Sequence, residues 1–182
     1  MATFQVPTRE DVNATNQGIF DALKSKLSFV PNLYATYALS NNALKNYLDF
    51  SSSDTSLSNK EKEVVNLAVS QVNDCKYWLA AHTAMGKMNG FTDEQILQLR
   101  QGKAPFDAKL DALAKLAKNI TENRGKTDPA VVDAFFSAGY TKENLVDTIV
   151  LVGDKTISNY LHNTTDVPVD FPAAPALEAV NA

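Results

Sequence analysis

Helix start and stop signals recur along the whole chain, and strand signals are weak throughout; nothing else in the sequence restricts the fold so strongly. Ser58-Asn59-Lys60-Glu61 and Thr92-Asp93-Glu94-Gln95 are capping boxes, in which a hydroxyl and a carboxylate or amide satisfy each other's backbone amides at a helix start. Asp128-Pro129 places a cap before a proline at the first helical position. The 7 Gly and 7 Pro fall mostly where helices begin or end. The pattern predicts helices over about Arg9–Leu27, Asn32–Leu39, Asn41–Asp49, Ser58–Val72, Cys75–Asn89, Phe106–Asn123 and Thr141–Leu161, with others after Thr92 and Asp128. Seven to nine helices joined by short loops make the fold class all-α, a compact multi-helix bundle.

A chain of 182 residues suits one domain, expected here to span residues 1–182, with 166–182, which holds Pro168, Pro172 and Pro175, as an extended C-terminal arm. Hydrophobic residues at 45% and charged residues at 21% indicate a globular chain, and the net charge of −4 without a basic cluster argues against nucleic acid and anionic membrane partners. The start Met1-Ala2-Thr3-Phe4-Gln5 has neither a basic nor an apolar leader region, so the expected location is cytoplasmic. One cysteine, Cys75, excludes an internal disulfide and any multi-cysteine metal site. No haem, flavin or metal motif is present, so no cofactor is expected.

The densest chemistry lies in Asp74-Cys75-Lys76-Tyr77-Trp78-Leu79-Ala80-Ala81-His82, which holds the only cysteine, the only tryptophan and one of two histidines. At 100° per residue, Cys75, Trp78, Leu79, His82 and Gly86 share one helix face. Cys75 at the helix start meets unpaired amides and the positive end of the macrodipole, which favour a thiolate. Each residue also has a plainer role. A lone cysteine is ordinarily a small buried hydrophobe, a lone histidine on an apolar face a hydrogen-bonded core residue, and Trp78 core packing. Glu63, in the first turn of the preceding helix, is ordinarily a solvated carboxylate. His162 has no partner visible in the sequence and is expected at the surface or at a helix end.

The stretch from Lys60 to Ser70, running into Asn73-Asp74-Cys75-Lys76-Tyr77-Trp78-Leu79-Ala80-Ala81-His82-Thr83, resembles the core motif of the alkylhydroperoxidase D / carboxymuconolactone decarboxylase family. That motif carries a Glu, a Cys-x-x-Cys twelve residues on, and a His four residues after the second cysteine. Glu63, Cys75 and His82 match, while Trp78 stands at the second cysteine. Weaker similarity to the peroxidase-related branch extends to Val30-Pro31-Asn32-Leu33-Tyr34 and to Leu151 through Asp170-Phe171-Pro172.

The resemblance implies an all-α bundle that assembles as trimers or hexamers. It also implies a thiol peroxidase in which a Glu–His relay activates one thiol to attack a hydroperoxide and the other thiol resolves the sulfenic acid. The attacking position is the one held by Trp78, and Cys75 matches its partner. A thiol at position 78 would neighbour His82, whereas Cys75 lies seven residues away, about 10 Å along the axis. The two-cysteine cycle therefore cannot run on this chain alone.

Three functions remain open. One is a modified hydroperoxide-reducing enzyme with Cys75, His82 and Glu63 as catalytic residues, a small peroxide as substrate and an external thiol as reductant. Another is a non-redox, decarboxylase-like enzyme acting on a small carboxylated lactone. The third is a catalytically silent oligomeric helical protein.

Overall fold

The computed structural model describes residues 4–177, and among these the regular structure is entirely helical. The helices are α1 (Ala14–Leu27), α2 (Asn32–Tyr37), α3 (Ala43–Ser51), α4 (Asn59–Val72), α5 (Lys76–Met88), α6 (Asp93–Arg100), α7 (Ala108–Glu122), α8 (Pro129–Ser137) and α9 (Lys142–Thr165). No helix among the described residues is long and apolar enough to cross a membrane. The chain divides into two compact units, Met1–Asp54 with Leu161–Asp170 and Thr55–Tyr160 with Phe171–Ala182.

In the first unit, the helix expected from Arg9 starts later. Arg9–Asp11 is a separate 3-10 turn, closed by the Thr8 amide and hydroxyl donating to Asp11 Oδ2 at 2.8 and 2.7 Å. Val12 is then extended, and the Asn13 side chain caps α1 by accepting from the Asn16 amide. Two caps five positions apart, Thr8 and Asn13, split one apolar pattern into two elements. Leu33 and Leu44 are fully buried, and Tyr37 stacks on Tyr47 with centroids 4.4 Å apart. The Asn32 amide donates to Asp170 Oδ2 at 2.6 Å.

The second unit is built around α4. Val64, Val65, Leu67, Ala68 and Val69 are wholly buried, and the helix packs against α5, α6 and α7, with α8 against α7. Every residue from Glu63 to Ser70 is buried, so this part of α4 is enclosed on all sides by the helices around it. Both capping boxes form as expected, Ser58 with Glu61 and Thr92 with Gln95. Gly90 ends the turn after α5 at φ +88°, a conformation only glycine adopts at little cost.

Beyond α9, residues 166–177 carry neither helix nor strand. Phe171 meets the Tyr77 ring edge-on at 5.5 Å, and Arg100 donates to the Pro175 carbonyl at 2.6 Å, so this part of the expected arm is tied down. The expected arm's last residues, 178–182, lie outside the described residues. The helix expected to end near Leu161 continues to Thr165, because the first residue that interrupts it is Asp166, at φ 48°.

Candidate functional site

A sharp turn between α4 and α5 sets the site. Asp74 sits in the left-handed region at φ 48°, which a short polar side chain tolerates better than most. The chain doubles back there, and the Cys75 amide donates to the Ser70 carbonyl at 2.9 Å. Cys75 thereby becomes the N-cap of α5, extended at φ −91° and ψ 96°. The expected placement at the helix start holds, with the thiol fully buried.

Burial decides its ionisation. Loss of solvent pushes the thiol above its ordinary value, and the amides of Trp78 and Tyr77, the Asn159 side chain and the Lys155 charge only partly offset it. A thiolate favoured by position alone is therefore not what this environment produces.

Glu63, on α4, is not the solvated carboxylate of the plainer reading. It is buried and accepts a 2.8 Å hydrogen bond at Oε2 from Nδ1 of the buried His82. Burial acts to raise its pKa, but His82, Lys155 and Asn66 outweigh that and hold it below the usual carboxylate range. His82 moves down as well, by burial first and by the Lys155 charge second, against the pull of Glu63 and Asp154. An ionised Glu63 beside a neutral His82 assigns the imidazole proton to Nδ1. Nε2 is left as a buried lone pair with no hydrogen-bond partner among the described residues.

Trp78 lies one turn before His82 on α5 and stacks on its ring at 5.0 Å and 23°. The indole thus stands between the imidazole and the start of the helix, as the spacing requires. Its other contact was not foreseen: Lys155 of α9 brings Nζ to 3.6 Å from the indole centroid. Lys155 is only 4% exposed. Burial pulls its pKa down, opposed by Asp154, Glu63 and Cys75. Attraction to an aromatic face is worth about 2 kcal/mol when desolvated, less than the several kcal/mol of burying an ion, so the direction follows.

One turn further along α9, Asn159 accepts from Asn73 Nδ2 at 3.0 Å and donates to Ser70 Oγ at 3.4 Å. Lys155, Asp154 and Asn159 are the residues sequence reasoning missed. The available signal was only that Lys155 and Asn159 lie one turn apart on the same helix.

His162 is buried rather than at the surface, in the last turn of α9, where its Nε2 lies 3.1 Å from the Val167 carbonyl. The expectation of a helix end holds and that of a surface position does not, because the chain after α9 folds back over the ring. His162 counts with the first unit, apart from the Glu63–His82 cluster.

Together the second unit gathers one thiol, one carboxylate–imidazole pair and one buried amine around a single indole. Such a group can hold and pass protons and can form a nucleophile; among the described residues no cluster of His, Cys, Asp and Glu is arranged to hold a metal ion.

The profile of the carboxymuconolactone decarboxylase family matches residues 38–119, which include Glu63, Cys75 and His82. No curated protein matches the sequence. Among solved structures, an uncharacterized peroxidase-related protein with an alkylhydroperoxidase AhpD core from Ralstonia eutropha JMP134 superposes with a TM-score of 0.82 at 21% identity, covering 92% of this chain and 91% of that one. A peroxidase-related protein from Silicibacter sp. TM1040 gives 0.79 at 22%, covering 94% and 91%. A cysteine-to-alanine variant of the debrominase Bmp8, in complex with 2,3,4-tribromopyrrole, gives 0.75 at 12%, covering 93% of each chain. At these identities the likeness is one of fold. Residues 38–119 thus match the carboxymuconolactone decarboxylase family, and the fold is the AhpD-like helical bundle.

Proposed function

We propose that the chain is a hydroperoxide-reducing thiol enzyme that works with one redox cysteine, Cys75, and draws its reducing power from an external thiol. The observation that carries this reading is the Glu63–His82 hydrogen bond at 2.8 Å, with an unpartnered imidazole Nε2, in the same buried cluster as the thiol. The peroxidase-related names of two proteins with this fold agree with it.

In this reading the Cys75 thiolate attacks one oxygen of a small hydroperoxide. The S–O bond forms as the O–O bond breaks, and the departing alkoxide takes a proton and leaves as an alcohol. Cys75 becomes a sulfenic acid. An external thiol displaces water to form a mixed disulfide, and a second external thiol releases Cys75 and departs as a disulfide. His82, held by Glu63, does not reach the Cys75 thiol; its Nε2 is available to exchange a proton with the departing oxygen.

The burial that raises the Cys75 pKa keeps most of it as unreactive thiol at neutral pH. Turnover is accordingly slow at neutral pH and rises as the thiol ionises. The test is titration of the free thiol in the purified protein. One equivalent of hydroperoxide at mildly alkaline pH should consume it and added reductant restore it, while a thiol that survives excess peroxide overturns the reading.

A further inference from the structure

The relay drawn from the motif does not reach the thiol that remains. His82 lies two turns down α5 from Cys75, about 10 Å along the axis, and the Trp78 ring is stacked on its face at 5.0 Å. Another charged group is buried in the same cluster. Lys155 enters from α9, buried, with Nζ 3.6 Å from the centre of the same indole. Around it stand Glu63 from α4, Cys75 at the head of α5, Trp78 and His82 from α5, and Asp154 beside it on α9. One turn on, Asn159 turns its side chain to Ser70, Asn73 and the thiol. A buried lysine side chain is costly, and a cluster of this kind is where such residues are retained for chemistry.

We propose that Lys155 is the positioning residue of the site, the counter-ion that holds the Cys75 thiolate in place of the imidazole that Trp78 screens off. In water a lysine ammonium and a cysteine thiol both keep their protons at neutral pH. Here burial moves the two groups toward each other, the amine down and the thiol up. Each then titrates under the influence of the other, and the pair behaves as one coupled unit. The ammonium stabilises the thiolate, and the indole beneath Nζ gives that ammonium a face to rest on without offering it a hydrogen-bond acceptor. Trp78 in this arrangement seats the cation that Cys75 needs as well as displacing a cysteine.

The inference rests on reading Cys75 as the redox thiol, and its test does not depend on turnover. Cys75 is the only cysteine, so the ultraviolet absorbance of its thiolate can be followed against pH in the intact protein. Lys155→Met should raise the midpoint by about one pKa unit, a tenfold loss of thiolate below it, and Lys155→Arg, which keeps the charge, should return it toward the natural protein. An unchanged midpoint in the methionine variant overturns the proposal.

If Lys155→Met does not fold, the reciprocal measurement decides. Trp78 is the only tryptophan, so its fluorescence reports the state of the cation above it. By linkage, Cys75→Ser must lower the alkaline midpoint of that fluorescence change, and equal midpoints overturn the proposal. Peroxide that leaves Cys75 untouched, together with a shifted midpoint in Lys155→Met, would sink the peroxidase reading and leave the counter-ion standing. Peroxide oxidation without the shift would do the reverse.

Discussion

Trp78 is the residue on which the chemistry turns. It is buried, touches both His82 and Lys155, and occupies the turn next to the imidazole. Trp78→Cys puts a thiol within one turn of His82 Nε2, where the Glu63–His82 pair can take its proton. Hydroperoxide reduction should rise on the order of 10²-fold, the lower end of what a positioned general base contributes. Deleting a buried indole should lower stability by about 3 kcal/mol. Initial rates and a denaturation curve on the same preparation check both. No gain in rate in a folded variant would mean that the Glu63–His82 pair does not serve the position beside it.

At the scale of elements, α4 positions Glu63 and its surroundings hold it still. Leu67 lies in the fully buried core shared with α6 and α7. Ser58 closes the helix start, accepting from the Glu61 amide and donating to Glu61 Oε2 at 2.7 Å. These two supports differ in size. Leu67→Ala removes buried methyl groups and leaves a cavity, costing about 2–5 kcal/mol, whereas Ser58→Ala releases one cap at the exposed end, costing about 1 kcal/mol. Urea denaturation should rank them in that order, and a cap loss equal to the core loss would contradict the buried placement of α4.

For the whole molecule, the titrating groups fix how stability changes on acidification. Glu63 has a lowered pKa in the folded chain, so its contribution is present above the ordinary carboxylate value of 4.5 and is lost as pH falls through the folded value. His82 is also lowered, so below its ordinary value of 6.5 the unfolded chain takes up the proton first and the fold weakens. Glu61 and Asp111, both lowered, add to the same slope. The denaturation midpoint should therefore fall continuously from pH 7 to pH 4, with the first part of the fall reduced in His82→Asn. A flat profile across that range would mean that the carboxylate–imidazole pair is not buried as described.

What could be read from the residues alone was local. Capping boxes at Ser58 and Thr92, the proline after Asp128 and the glycine after Asn89 act within one turn of chain, so the helices they bound were legible. Glu63, Cys75 and His82 were legible as a set only through the family resemblance, whose motif fixes their spacing on two consecutive helices; by itself Glu63 read as a solvated carboxylate. The split of the first helix at Val12 was harder to see, since two caps of similar strength competed for the same residues. Lys155 is separated from Glu63 by most of the second unit in sequence, and a one-turn spacing from Asn159 on a helix of mixed polarity does not single it out. Only packing of α9 beside α4 and α5 could bring its amine over the indole and strip it of water. The same loss of water reversed the expected ionisation of Cys75: a helix start favours a thiolate by short-range dipoles, but how much solvent remains around the sulfur is settled by every element that closes over it.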